Sequence, residues 1–183
     1  MKCSWVFANG YQFDPIVPMD HVKNIGSSWG SWTTWRGCST DNVLCNDIGK
    51  SRELIERAFQ AVCNFYVPRQ HYQKLGRPVG LKFYESEHNV EIDHIEDIIA
   101  CHLAANGADI VLLCGFDFCL PTGVADKLEV HKLKNRHGAL RSAMSNSAAQ
   151  WVAIDYNETP DLAYNELDNF TCDSMNNVLN LLL

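Results

Sequence analysis

Several places along the chain carry residue types that could hold a ligand or move a proton. Asn9-Gly10 directly follows the short apolar run 3–8. A glycine there lets backbone N–H groups approach a phosphate or a base edge, and the same dipeptide also makes a plain turn. Gly115-Phe116-Asp117-Phe118 follows the apolar run 109–114 and offers one carboxylate between two aromatic rings. His131 and His137 lie in the polar stretch beyond it, where an imidazole is well placed to act as general acid or base. Asp47 ends a second short run, 42–46. Trp29, Trp32 and Trp35 repeat every third residue in a Gly/Ser/Thr-rich segment beside Arg36. Such indoles stack on a sugar or nucleobase, or anchor a long loop to the core or to a second subunit.

Other arrangements fail on spacing. Gly49-Lys50-Ser51 has the end of a phosphate-wrapping loop, but that motif needs a glycine five residues before its second glycine, and position 44 is Leu. No Gly-x-Ser-x-Gly or His-Glu-x-x-His occurs, which counts against a serine hydrolase of the elbow type and a zincin. His102 falls on the apolar face of its helix and reads as a core histidine. His88 and His94 flank Glu91 and Asp93, an acidic helix start rather than a metal-ligand spacing. None of the eight cysteines forms a Cys-x-x-Cys pair. Cys3, Cys45, Cys101, Cys114 and Cys172 fall in segments read as buried, so reduced thiols and no metal or other cofactor are expected.

The elements that must position these residues follow from periodicity and turn residues. Strands are predicted at 3–8, 42–46, 64–67, 79–84, 109–114, 151–154 and 169–172, and helices at 50–62, 69–75, 93–106, 137–149 and 173–182. Residues 11–40, which include the tryptophan segment 26–37, read as a long loop. Residues 115–136 read as a polar loop, and Thr159-Pro160 as the cap and first residue of a short helix. The run Asp109-Ile-Val-Leu-Leu-Cys114 is apolar on both faces and belongs inside a parallel sheet. Alternation of strands with helices predicts α/β, a three-layer sandwich around a mostly parallel sheet of six to seven strands, Rossmann-like, in one domain over 1–183. In such sheets ligands bind beyond the carboxyl ends of the strands. That rule selects Asn9, Gly10, Asp47, Gly115, Asp117 and the tryptophan segment as one rim.

Composition bounds the partners. The net charge is −7 and no segment concentrates Lys and Arg, which argues against binding nucleic acid through its phosphates. No apolar run approaches the ~18–20 residues of a membrane helix, and the first ten residues lack a secretory core. A cytoplasmic protein with a small-molecule partner is expected.

Three stretches taken together resemble the bacterial sialyltransferases of lipooligosaccharide synthesis and the phage and bacterial proteins of related Rossmann-like fold. These are 3–10 running into Ala8-Asn9-Gly10, the helix 93–106 leading through Gly107 to Gly115-Phe-Asp-Phe118, and Thr171-Cys-Asp-Ser174 before the last helix. The resemblance spans about half the chain. It implies a nucleotide or nucleotide-sugar ligand, with Asn9 on the nucleotide and His137 or His131 as catalytic base, and the host cytoplasm if the chain is viral. Tyr11-Gln12-Phe13 replaces the family's Pro-Ser-Leu, and the chain is much shorter. Two readings stand: a glycosyltransferase-like, nucleotide-sugar binding protein in which Asn9, Gly10, Asp47, Gly115, Trp32 and Trp35 line the ligand and Asp117 orients it, and a non-catalytic protein whose segment 26–37 is a homodimer or partner interface.

Overall fold

The computed structural model describes residues 1–8, 22, 24–85, 94–119, 126–156 and 158–182. Strand β1 (Cys3–Phe7) is followed by β2 (Gly26–Ser31), α1 (Trp32–Cys38), β3 (Asn42–Leu44), α2 (Ile48–Glu56), a 3₁₀ turn (Phe59–Ala61), β4 (Asn64–Pro68), α3 (Arg69–Lys74) and β5 (Lys82–Tyr84). Then come α4 (Ile95–Ala105), β6 (Ile110–Cys114), α5 (Lys127–Ser145), β7 (Gln150–Ile154), α6 (Leu162–Asn165), β8 (Phe170–Asp173) and α7 (Met175–Leu182). The strands form one sheet in the order β5-β4-β3-β2-β1-β6-β7-β8. Every neighbouring pair is parallel.

The alternation of side chains explains the layers. Val6 of β1, Ala8 just after it, and Val111 and Leu113 of β6 face α4 and α5, where Ile98, Cys101, Ala104, Leu140 and Met144 complete the core. Trp5, Phe7, Leu112 and Cys114 face the other way, onto Met175 and Val178 of α7. Farther along that second face, Val43, Phe65 and Val67 pack with Leu54 and Phe59. A sheet apolar on both faces and covered by helices on each is the α/β Rossmann-like layout that the run 109–114 predicts. β6 lies in the interior, with β1 and β7 as neighbours.

Several expectations are corrected. The sheet has eight strands, not six or seven, because the tryptophan segment is no loop: residues 26–31 are β2 and 32–38 are α1. Glycine and serine are poor strand formers by themselves, yet at Gly26 a Cβ would lie 2.2 Å from the Cys3 carbonyl oxygen, so only glycine admits β1 this close. The polar strand is held by its neighbours. Ser4 and Ser27 hydroxyls are 3.0 Å apart, Ser28 donates to Asp41 at 2.7 Å, and Asn42 Nδ2 donates to the Ser28 carbonyl at 3.0 Å.

His131 sits on a helix rather than in a loop, and His137 lies in the middle of that helix rather than at its start, since α5 starts ten residues earlier than its apolar periodicity suggests. Its first turns are amphiphilic only weakly, but Asp126 caps them by accepting the Leu128 N–H at 2.8 Å. α4 packs on the core through Ile98 and Ile99, with Ile95 and Leu103 partly buried, as its apolar periodicity predicts, but Asp97, Ala100, Cys101 and Ala104 are buried beside them and His102 is exposed. The small Ala100, Cys101 and Ala104 let this helix approach the sheet closely, which a histidine would prevent. The helix after Thr159 is α6, capped at Asp161 and four residues long. β5 spans only Lys82–Tyr84, because Gly80 at φ +82° makes a turn before it. α2 ends at Glu56, and Ala58 follows in a left-handed conformation. Cys3, Cys45, Cys101 and Cys114 are buried, whereas Cys172 is exposed on its edge strand.

Candidate functional site

β1 is where the strand order turns, with β2 to β5 on one side and β6 to β8 on the other. Connections leaving in opposite directions open a crevice beyond the carboxyl ends of β1 and β6. The end of β1 is fixed from both sides: the Ala8 N–H donates to the Cys114 carbonyl at 2.9 Å, and Thr34 Oγ1 donates to the Ala8 carbonyl at 2.9 Å. Thr34 is positioned by Ser31, which caps α1 by accepting the Thr34 N–H. Asn9 and Gly10 come next in the chain and lie outside the described residues, as does most of the 86–93 segment's candidate acidic group, including His88, Glu91 and Asp93.

On the β6 side, Gly115 takes φ +73°, a conformation that glycine enters freely, and turns the chain off the strand. Phe116 and Phe118 are then buried while Asp117 between them is exposed. Phe118 packs edge-on against Tyr156 and Tyr164, with ring centroids 5.0 and 5.3 Å away. This anchoring leaves the Asp117 carboxylate at the rim. Its Oδ1 accepts the Cys119 N–H at 2.9 Å and the Tyr156 hydroxyl at 3.4 Å. The Tyr156 hydroxyl is also 3.1 Å from Cys119 Sγ, and that thiol lies 2.8 Å from the Thr159 carbonyl. Burial, then the Cys119 contact, raises the Tyr156 phenol above its ordinary value and keeps it protonated. Cys119 and Tyr156 were not singled out by sequence. The signal for Tyr156 was its place just past the end of β7, matching that of Asp117 past β6.

His137 is 7 % exposed, on the inner face of α5. Its Nδ1 is 2.8 Å from the Tyr164 hydroxyl. Burial lowers its affinity for a proton, against an opposing pull from Asp117, so the imidazole is held toward its neutral form. His131 is on the same helix and exposed. Six residues separate the two, which on a helix of 3.6 residues per turn places them on different faces.

Asp47 is the cap of α2 at the end of β3, where its Oδ1 accepts the Lys50 N–H at 2.7 Å. Trp32 and Trp35 stack at 5.8 Å and both meet Phe59 edge-on, at 5.4 and 4.7 Å. Trp29 is buried against Tyr66 on the opposite face. Trp29 is thus a core group, whereas Trp32 and Trp35 are half-buried against Phe59, with Lys50 lying over the Trp32 ring. The structure therefore brings Asp117 and Gly115 to the end of β1, keeps Asp47 on the same edge two strands away, buries Trp29 and leaves Trp32 and Trp35 half-exposed.

The chain matches no known protein family, no curated protein and no solved structure. Among the described residues no three His, Cys, Asp or Glu side chains stand together as a metal site. No described helix is long and apolar enough to cross a membrane.

Proposed function

We propose that this protein binds a nucleotide or nucleotide-sugar in the crevice between the carboxyl ends of β1 and β6, as a glycosyltransferase-like transferase. The observation that carries the reading is the turn in strand order at β1, with Ala8 hydrogen-bonded to Cys114 and the exposed Asp117 just beyond. In this reading Asn9 and Gly10 hold the nucleotide and Asp117 orients the donor by accepting hydrogen bonds from its hydroxyls. His137 or His131 takes the proton of an acceptor hydroxyl. A neutral imidazole is the state able to do so, and the environment of His137 favours it.

The test is a thermal-shift screen of the parent and Asn9→Ala with CMP, UDP and GDP and with CMP-sialic acid, UDP-glucose and GDP-mannose. Stabilisation by one nucleotide class, abolished in Asn9→Ala, supports the reading. No shift with any of the six refutes it.

A further inference from the structure

The carboxyl edge continues from β1 toward β5, and there a buried polar group has no hydrogen-bond partner among the described residues. Tyr84 is the last residue of β5, 4 % exposed, on the sheet face that carries Leu44, Tyr66 and α4. Its hydroxyl has no hydrogen-bond partner among the described residues. Burial raises the phenol above its ordinary value, and its titratable neighbours are the Glu96 carboxylate in the first turn of α4 and the Cys45 thiol just after β3. The phenol is thus a protonated donor beside a carboxylate that it does not touch.

Buried polar groups are normally hydrogen-bonded, and an exception calls for a reason. Trp5 and Trp151 also leave an N–H unpaired, but they lie within strands among apolar side chains. Tyr84 lies at the rim. Glu96 is held there too, since its Oε1 accepts the Asn46 N–H at 3.2 Å just past the end of β3. β3 is two strands from β1 and β5 is four, about 10 and about 19 Å at the usual spacing of ~4.8 Å, and the Tyr84 phenol has Cys45, just past β3, and Glu96 as its neighbours. A sugar attached to a nucleotide phosphate covers the distance from β1 to the end of β3, where Glu96 and the phenol beside it stand.

We infer that Tyr84 and Glu96 form the sugar subsite of the crevice, the phenol donating to one sugar hydroxyl and the Glu96 carboxylate accepting from another. The inference rests on the nucleotide-sugar reading above. Calorimetric titration of the parent, Tyr84→Phe and Glu96→Gln with the three bare nucleotides and their three sugar conjugates tests it. The expected result is tighter binding of one conjugate than of its nucleotide by the parent. Each substitution then weakens the conjugate roughly tenfold, the scale of one lost hydrogen bond, and leaves the bare nucleotide unchanged. Tyr84→Phe should keep the melting temperature of the parent, because the hydroxyl gives up no partner among the described residues. Variants that bind the conjugate as tightly as the parent, or a large fall in melting temperature on Tyr84→Phe, overturn the subsite alone. A parent that binds neither nucleotide nor conjugate overturns the nucleotide-sugar reading and the subsite together.

Discussion

Arg136 on α5 donates from Nη2 to Oδ2 of Asp97 on α4 at 3.1 Å, and the Asp97 side chain is wholly shielded from solvent. The pair ties together the two helices that cover one face of β1 and β6. A buried charge that loses its counter-ion is expensive, roughly 3–5 kcal/mol, whereas an apolar replacement of both partners is often tolerated. Arg136→Met should therefore cost about 3 kcal/mol in urea unfolding, and Asp97→Leu/Arg136→Met should recover much of it. A single substitution that costs under about 1 kcal/mol, the scale of an exposed pair, would contradict this role.

Two glycines give opposite expectations. At Gly26 a methyl group would enter the backbone of β1, and at Gly138 on α5 it would meet nothing within 4 Å. Gly26→Ala should abolish or severely weaken folding. Gly138→Ala should raise stability by up to about 1 kcal/mol, since a helical glycine carries an entropic cost. Urea unfolding of both variants checks this, and a neutral Gly26→Ala would show that β2 can move away from β1.

The lowered proton affinity of His137 fixes a direction for pH. The unfolded chain binds the proton near the ordinary value of about 6.5, and the folded chain only at lower pH. Between the two the unfolded state holds more protons, so stability is highest above that ordinary value and declines as pH falls through it toward the folded value. His71 shifts the same way by burial. Melting temperature followed from pH 7.5 to 5 should fall less steeply in His137→Gln than in the parent. Identical slopes would mean that His137 is not desolvated.

Thiol reactivity separates the cysteines. Burial pushes Cys63 up to about 12 and Cys101 well above its ordinary value; it raises Cys172 too, but that side chain is exposed to reagent whereas Cys101 is buried. In native protein at pH 8 a thiol reagent should react fastest at Cys172, and Cys172→Ser should remove one fast equivalent. Denatured, unreduced protein should yield all eight thiols. Fast modification of Cys101 would contradict the packing of α4.

The apolar strands and the carboxyl rim were legible because their signals are local. The run 109–114 has no polar side to expose, and Gly115 and Asp117 follow it directly. β2 was hidden because Gly26, Ser27, Ser28 and Gly30 have no intrinsic strand preference. Their strand is imposed by β1 and by Asp41, both distant in sequence. α5 was underestimated although Asp126 and Glu129 have the spacing of a helix start, because its exposed first turns lack an apolar stripe. His102 was misplaced since the close approach of α4 depends on three small residues, whose effect periodicity does not weigh. Tyr84 looked like an ordinary strand residue, because an unpartnered hydroxyl exists only once the neighbours are in place.

Amide shift mapping of the isotopically labelled protein tests the location of the site most directly, with CMP, UDP and GDP added in turn. Binding in the crevice should move the Ala8, Thr34, Gly115 and Asp117 resonances with one nucleotide and leave those of Ser27, Asn106 and Gly107, at the opposite end of the sheet, in place. Shifts confined to that opposite end, or none with any of the three, would contradict a nucleotide site between β1 and β6.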